Sequence, residues 1–269
     1  MIECKELTRF DEFRECAKIQ KDIFGVSDID AISPLTLTVF AKKFPQIGIV
    51  IGAIDKNEEN EKLVGFAFYT AVLQENAYYG VASGLLPGYR DKNIGTNLNK
   101  KIRELAIARK VQYLFGSFDP LEGNLGHTYF NKLGFWGVKY QETPYKLSNE
   151  VKSINAIPID KVIFKWEFES QRVNKRIAGA FSPQKFEDVL SKYPIINETH
   201  FIDSKSVLVE VPGDFISLKK SHFDVALKWR LNTRKVFNEY INKRGYWITE
   251  FYSQIENTTR RNFYLLEKK

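Results

Sequence analysis

The chain has 269 residues, 43% hydrophobic and 14% aromatic, enough to bury one large core or two smaller ones. Its formal charge of +7 comes from cations interspersed with acids, not sorted into a stripe, which argues against nucleic acid and suits a polyanionic small ligand. No stretch approaches the roughly 18–20 apolar residues of a membrane helix. Met1 to Glu6 lack the apolar core of a signal peptide, and Cys4 and Cys16 alone cannot build a disulfide framework. The expectation is a cytoplasmic protein with free thiols that binds neither membrane nor nucleic acid.

Residues 9–25 read as an amphipathic helix, Phe10, Phe13, Cys16, Ile19 and Phe24 marking its apolar face. Residues 31–43 read as a second, marked by Leu37, Val39, Phe40 and Phe44. Strands are expected over 46–55, 62–73 and 77–86. The third stops at Pro87 and Gly88, and Ile94, Leu98, Ile102 and Leu105 open a helix of about four turns. The first N–H groups of such a helix have no partner within it and, with the helix dipole, favour an anion. Gly95 allows close approach, Asn93 is the non-glycine residue best suited to a left-handed turn, and Arg90 and Lys92 add positive charge. This stretch reads as a phosphate cradle. Lys100, Lys101 and Arg103 beyond it read as a solvated helix face. A strand over 111–118, then Asp119-Pro120-Leu121 and a short helix, follow.

The loop Arg90-Asp91-Lys92-Asn93-Ile94-Gly95 resembles the acyl-CoA pyrophosphate loop of the GNAT superfamily of N-acyltransferases, Q/RxxGxG/A, with Asn93 in place of the first glycine. Tyr129-Phe130-Asn131-Lys132-Leu133-Gly134-Phe135 is similar to the ending of that family's fourth helix. Asp119-Pro120-Leu121, the Ile157 to Lys161 stretch, the Val209 to Phe215 block and Lys228-Trp229-Arg230 further resemble a little-characterised acyltransferase subfamily with a long C-terminal extension, found beside N-acylamino-acid racemases. The resemblance implies an α/β fold: a splayed, mixed, mainly antiparallel sheet flanked by helices. It also implies acyl-CoA (acetyl-CoA or succinyl-CoA) as co-substrate, no metal, a small amine acceptor such as an amino acid or derivative, and scope for a homodimer. A non-catalytic acyl-CoA-binding or regulatory module and a protein or peptide N-acyltransferase are the alternatives.

On that resemblance the cofactor is held by Leu85, Leu86, Arg90, Asp91, Lys92, Asn93, Ile94, Gly95, Thr96 and Asn124, the N–H groups of Leu85 and Leu86 polarising the thioester carbonyl. The family's thiol acid, a tyrosine, falls here at Phe130, and the strand that often carries a base has no acid after Glu75. The catalytic candidates are therefore His127, three residues before Phe130 and expected on the same helix face, and Asp119 at the strand end, as base or ammonium ligand. His127, His200 and His222 are too dispersed for a metal site.

Residues 1–150 are expected to form the catalytic domain and 151–269 a GNAT-like half lacking the phosphate loop. The second assignment rests on an internal echo. Tyr240-Ile241-Asn242-Lys243-Arg244-Gly245-Tyr246-Trp247 matches Tyr129-Phe130-Asn131-Lys132-Leu133-Gly134-Phe135-Trp136 at five of eight positions. A strand over 206–211 and a helix over 223–241 are expected before it, and a hairpin over 247–266 after it. Helix ends followed by glycine and an aromatic are common, so chance is the competing account.

Overall fold

The computed structural model describes residues 1–57, 61–73, 75–142 and 157–269. The boundary expected at 150/151 lies outside these residues. The described chain divides into one unit of Met1–Gly116 with Glu167–Glu169 and another of Ser117–Trp166 with Ser170–Lys269.

The first unit runs β1 (Ile2–Glu6), α1 (Phe10–Phe24), α2 (Pro34–Phe40), β2 (Gly48–Asp55), β3 (Lys62–Ala71), β4 (Ala77–Leu85) and α3 (Ile94–Ala108) into the start of β5 (Tyr113–Phe118). β1 to β4 are sheet neighbours, each antiparallel to the next. β2 is buried along its whole length, which is why its apolar run has none of the alternation of a half-exposed strand. Phe13, Cys16 and Ile19 of α1 and Leu37 of α2 form a core with Val50, Phe66 and Phe68 of the sheet. Phe10, Phe24, Val39 and Phe44 are exposed instead, while Phe40 and Ile23 pack partly buried against the core, so the apolar stripes expected of both helices are narrower than drawn. α2 begins at Pro34, its first N–H groups served by the Ser33 cap, whose Oγ accepts from Thr36 N at 3.1 Å.

β4 gives the unit its shape. Its register with β3 steps from Phe68↔Ala82 to Tyr69↔Gly80, so Val81 is an extra residue that bends the strand. Parallel pairing with β5 covers Ala77, Tyr78 and Tyr79 opposite Tyr113, Leu114 and Phe115, while β4 continues to Leu85. The two strands part there.

The second unit completes β5 and continues with a one-turn α4 (Gly123–Gly126), a π-helical segment (His127–Lys132), β6 (Trp136–Gln141), β7 (Lys161–Glu167), α5 (Gln171–Ile177) and α6 (Phe186–Lys192). Then come β8 (Ile195–Ile196), β9 (Ser206–Val211), α7 (Phe215–Ser221), α8 (Phe223–Phe237), a second π-helical segment (Asn238–Lys243), β10 (Tyr246–Glu256) and β11 (Thr259–Lys268). Its strands lie in the order β7-β6-β10-β11-β9-β8.

The sequence echo is a structural one. Each octapeptide ends a helix with a π-helical segment, passes a left-handed glycine (Gly134, φ 77°; Gly245, φ 74°) and enters a strand. The asparagines then reach across to the other copy. Asn131 Nδ2 donates to Phe251 O at 2.7 Å and Asn131 Oδ1 accepts from Phe251 N at 3.3 Å. Asn242 Nδ2 donates to Tyr140 O at 2.9 Å and Asn242 Oδ1 accepts from Tyr140 N at 3.0 Å. Phe251 lies in β10 and Tyr140 in β6, so each copy's helix end clamps the other's strand. Chance similarity would not produce that reciprocity. β6 and β10 meet antiparallel at Gly137↔Ile248, and the echoed Trp136 and Trp247 have ring centres 6.1 Å apart, with Lys269 Nζ at 4.0 and 5.4 Å from them. Asn242→Ala should cost about 1–3 kcal/mol, since it removes two hydrogen bonds and strands the Tyr140 amide. Urea midpoints of Asn242→Ala and Asn131→Ala measure this; losses below a few tenths of a kcal/mol would make the clamps incidental.

Candidate functional site

The phosphate cradle is built by three successive local preferences. Pro87–Tyr89 form a 3-10 turn, with Tyr89 N donating to Leu86 O at 2.9 Å and Arg90 N to Pro87 O at 3.3 Å. Asp91 and Asn93 then take left-handed conformations, φ 60° and 59°, so an asparagine supplies the geometry that glycine would otherwise give. The first bond of α3 runs from Asn97 N to Asn93 O at 3.0 Å, which leaves the N–H groups of Ile94, Gly95 and Thr96 facing out of the helix end without an intrahelical acceptor. Arg90 Nε donates to Leu85 O at 3.3 Å, Lys92 Nζ donates to Gly88 O at 2.8 Å, and Lys92 lies over the Tyr89 ring. These contacts keep both cations on the loop, whose residues from Arg90 to Asn93 are exposed. A Cβ added at Gly88 would meet nothing within 4 Å, and one at Gly95 only Leu85 Cδ1 at 4.0 Å. The loop surface is open to a phosphate.

The free edge of β4 adjoins this loop. Leu86 N donates to Val64 O at 2.9 Å, so Leu86 is not available to polarise a carbonyl, a correction to the expectation above. Strand alternation turns Leu85 and Ser83 the other way, to the side that β5 has left. A bulged fourth strand that parts from the fifth, with a basic turn opening α3 at the parting, is the splayed arrangement expected from the sequence. No family model and no curated protein matches the sequence. Among solved structures the chain is similar to the ribosomal-protein-S18-alanine N-acetyltransferase from Escherichia coli, at 14% identity and TM-score 0.48 over 63% of this chain and 96% of that one. It is also similar to a probable acetyltransferase from Staphylococcus epidermidis (14%, 0.49, 62% and 99%) and to an N-acetyltransferase from Staphylococcus aureus (19%, 0.45, 63% and 99%).

In the second unit, Asp119 is buried, with Oδ1 accepting from Leu121 N at 2.9 Å and Oδ2 from Nη2 of the equally buried Arg230. With both oxygens engaged it is a structural anion, which corrects its reading as a base. The two residues stand 111 apart in sequence, so no local pattern could show the pairing. α4 sits directly on neighbouring side chains: a Cβ at Gly123 would fall 2.4 Å from Asn262 Nδ2, and one at Gly126 2.7 Å from Tyr264 Oη. A side chain at either position would have to displace these neighbours.

His127 and Phe130 do not share a face. Phe130 is fully buried, its ring 5.8 Å from Phe118 and 5.7 Å from Tyr264, whereas His127 is exposed, with Nδ1 at 3.3 Å from Asn131 Nδ2. The cause is the π-helical bonding, Leu133 N to Thr128 O at 3.1 Å: a wider turn rotates less per residue and widens the angle between positions three apart. Asn124 is exposed, and its carbonyl accepts from Thr128 Oγ1. Tyr129 stacks on Phe135 at 4.8 Å; burial, and then the Glu122 charge, pushes its hydroxyl up to about 12, so it keeps its proton.

Glu122, three residues beyond Asp119, is the group that the sequence reading passed over. Among the described residues its carboxylate has no hydrogen-bond or ion-pair partner, and burial, then the Asp119 charge, raises its pKa. An acid whose folded pKa exceeds its unfolded value costs stability once ionised. That cost is absent below the unfolded value of about 4.3 and complete above the folded one. Glu122→Gln should therefore melt higher than the parent at pH 7, with the gain fading toward pH 4; equal melting points at pH 7 would contradict the raised pKa.

Proposed function

We propose that the chain is an acyl-CoA-dependent N-acyltransferase that moves an acetyl or succinyl group onto the amine of a small molecule, an amino acid or a derivative of one. The observation that carries this reading is the cradle: three unpaired N–H groups at the start of a four-turn helix, two loop cations and an open surface above Gly88 and Gly95. Ile94, Gly95 and Thr96 would bind the pyrophosphate oxygens through their N–H groups, Arg90 and Lys92 adding charge, and Asp91 and Asn93 shaping the turn. A phosphate-bearing co-substrate explains these features, and the acyl chemistry is what the resemblance of the loop and of the Tyr129–Phe135 segment to GNAT acyltransferases implies for such a ligand.

Acyl transfer to an amine needs a carbonyl polarised by fixed donors, a base for the ammonium proton and an acid for the departing thiolate. Leu85 N–H, on the free edge of β4, is the donor suited to the carbonyl. Within the second unit Asp119 is committed to Arg230 and so is not free to serve as that base.

Gly95→Asp tests the cradle. The added side chain has room, so the variant should fold, yet it sets an anion where the pyrophosphate would lie. Coenzyme A affinity by calorimetry should fall at least tenfold, and unchanged affinity would remove the cradle. Catalysis is tested separately by thiol release from acetyl-CoA and succinyl-CoA with an amine panel, where turnover on at least one amine is expected. CoA binding with no turnover on any amine would favour the non-catalytic module.

A further inference from the structure

The duplicated half has a strand pair like the one that parts in the first unit. β4 runs parallel to β5 as far as Tyr79↔Phe115 and then leaves it. β8 runs parallel to β9 at Ile195↔Leu208 and Ile196↔Val209 and then ends, while β9 continues to Val211. β5 leads to the helix that closes on the Asn131 clamp, and β9 to α8, which closes on the Asn242 clamp. What has gone is the segment between the strands. From β4 to β5 the chain makes the basic turn and α3, whereas from β8 to β9 it makes a turn over 197–200, with Asn197 Oδ1 accepting from Thr199 N at 3.0 Å, then an irregular run to Lys205, and no helix. The phosphate-holding helix start has no counterpart, and Glu198 stands in that turn.

A cavity of about 460 Å³ opens where β8 leaves β9. Ile196, Val225 and Trp229 give it an apolar wall, with Glu198, Lys228 and Asn232 at its rim; Glu210 lines it too, but is already paired with Arg261 at 2.8 Å. None of the three rim side chains has a hydrogen-bond or ion-pair partner among the described residues, and Val225 is 46% exposed. The volume is that of a small-molecule site. A phosphate would find one ammonium among two carboxylates, Glu198 and the Arg261-paired Glu210, and no helix start. A zwitterion with an apolar body matches the two charges left without an ion-pair partner among the described residues: its carboxylate Lys228, its ammonium Glu198, its body the indole and the valine.

We propose that this cavity is a second ligand site, for a small zwitterion with an apolar body, at the place where the second half has no counterpart of the basic turn and α3. The proposal does not rest on the acyltransferase reading, because the site and its test need no CoA.

The test uses the full chain without CoA and L-phenylalanine as probe, followed by calorimetry and by tryptophan fluorescence, with Trp229→Phe assigning the optical signal. L-Phenylalanine should bind, and 3-phenylpropionate and 2-phenylethylamine, each lacking one charge, should bind about tenfold more weakly. Lys228→Met should weaken L-phenylalanine about tenfold but leave 2-phenylethylamine unchanged; Glu198→Gln should weaken L-phenylalanine and leave 3-phenylpropionate unchanged. Both positions are on the rim, so the variants should melt like the parent. Absence of binding, equal affinity for all three probes, or binding indifferent to both variants would overturn the proposal.

Discussion

One extra residue in β4 sets up the first unit. Val81 has no place in the ladder with β3, and the strand that must absorb it bends away from β5. The bend leaves Ser83 and Leu85 with backbone groups that no strand covers, and it ends the strand where a basic turn starts α3. A regular β4 would have paired onward with β5 and closed the gap. The residue-by-residue chemistry of the loop is then local: proline and glycine to leave the strand, two left-handed residues to aim the helix, and N–H groups that the helix itself cannot use.

The second unit is held by polar contacts between its two copies. Asn131 and Asn242 clamp each other's strands, and the fully buried Asp160 accepts from Tyr140 OH at 2.6 Å and from Arg234 Nε and Nη2 at 2.9 and 2.8 Å. Tyr140 belongs to β6 and Arg234 to α8, so this network too joins one copy to the other. Arg172 and Arg176 both reach Glu250 of β10, while Arg172 Nε donates to Gly134 O at 3.0 Å. Buried ions of this kind are weak evidence for net stability but strong constraints on arrangement, since removing one partner leaves an uncompensated charge. The copies are thereby fixed in one register.

What was legible in the sequence is what local chemistry determines. The loop could be read because Pro87, Gly88, Asn93 and Gly95 each act within a few residues, and Asn93 does take the left-handed conformation that its type suggested. The echo could be read because identical residues recur, although its meaning, a reciprocal clamp, needed the fold. The π-helical segments could not: apolar periodicity does not distinguish an i→i+5 bond from an i→i+4 bond, and that difference turned His127 away from Phe130. Nor could the commitment of Asp119 to Arg230, which depends on a partner in α8. Glu122 was passed over for the complementary reason, because a lone acid in a turn looks solvated until its surroundings are seen to be partly buried and already negative.

The central claim is that three backbone amides at the start of α3 hold the pyrophosphate of an acyl-CoA. Amide proton–nitrogen correlation spectra of the full chain, recorded as coenzyme A is added, test it residue by residue. The account predicts that Ile94, Gly95 and Thr96 move most and that inorganic pyrophosphate moves the same three. Spectra in which coenzyme A binds but leaves those amides in place would contradict it.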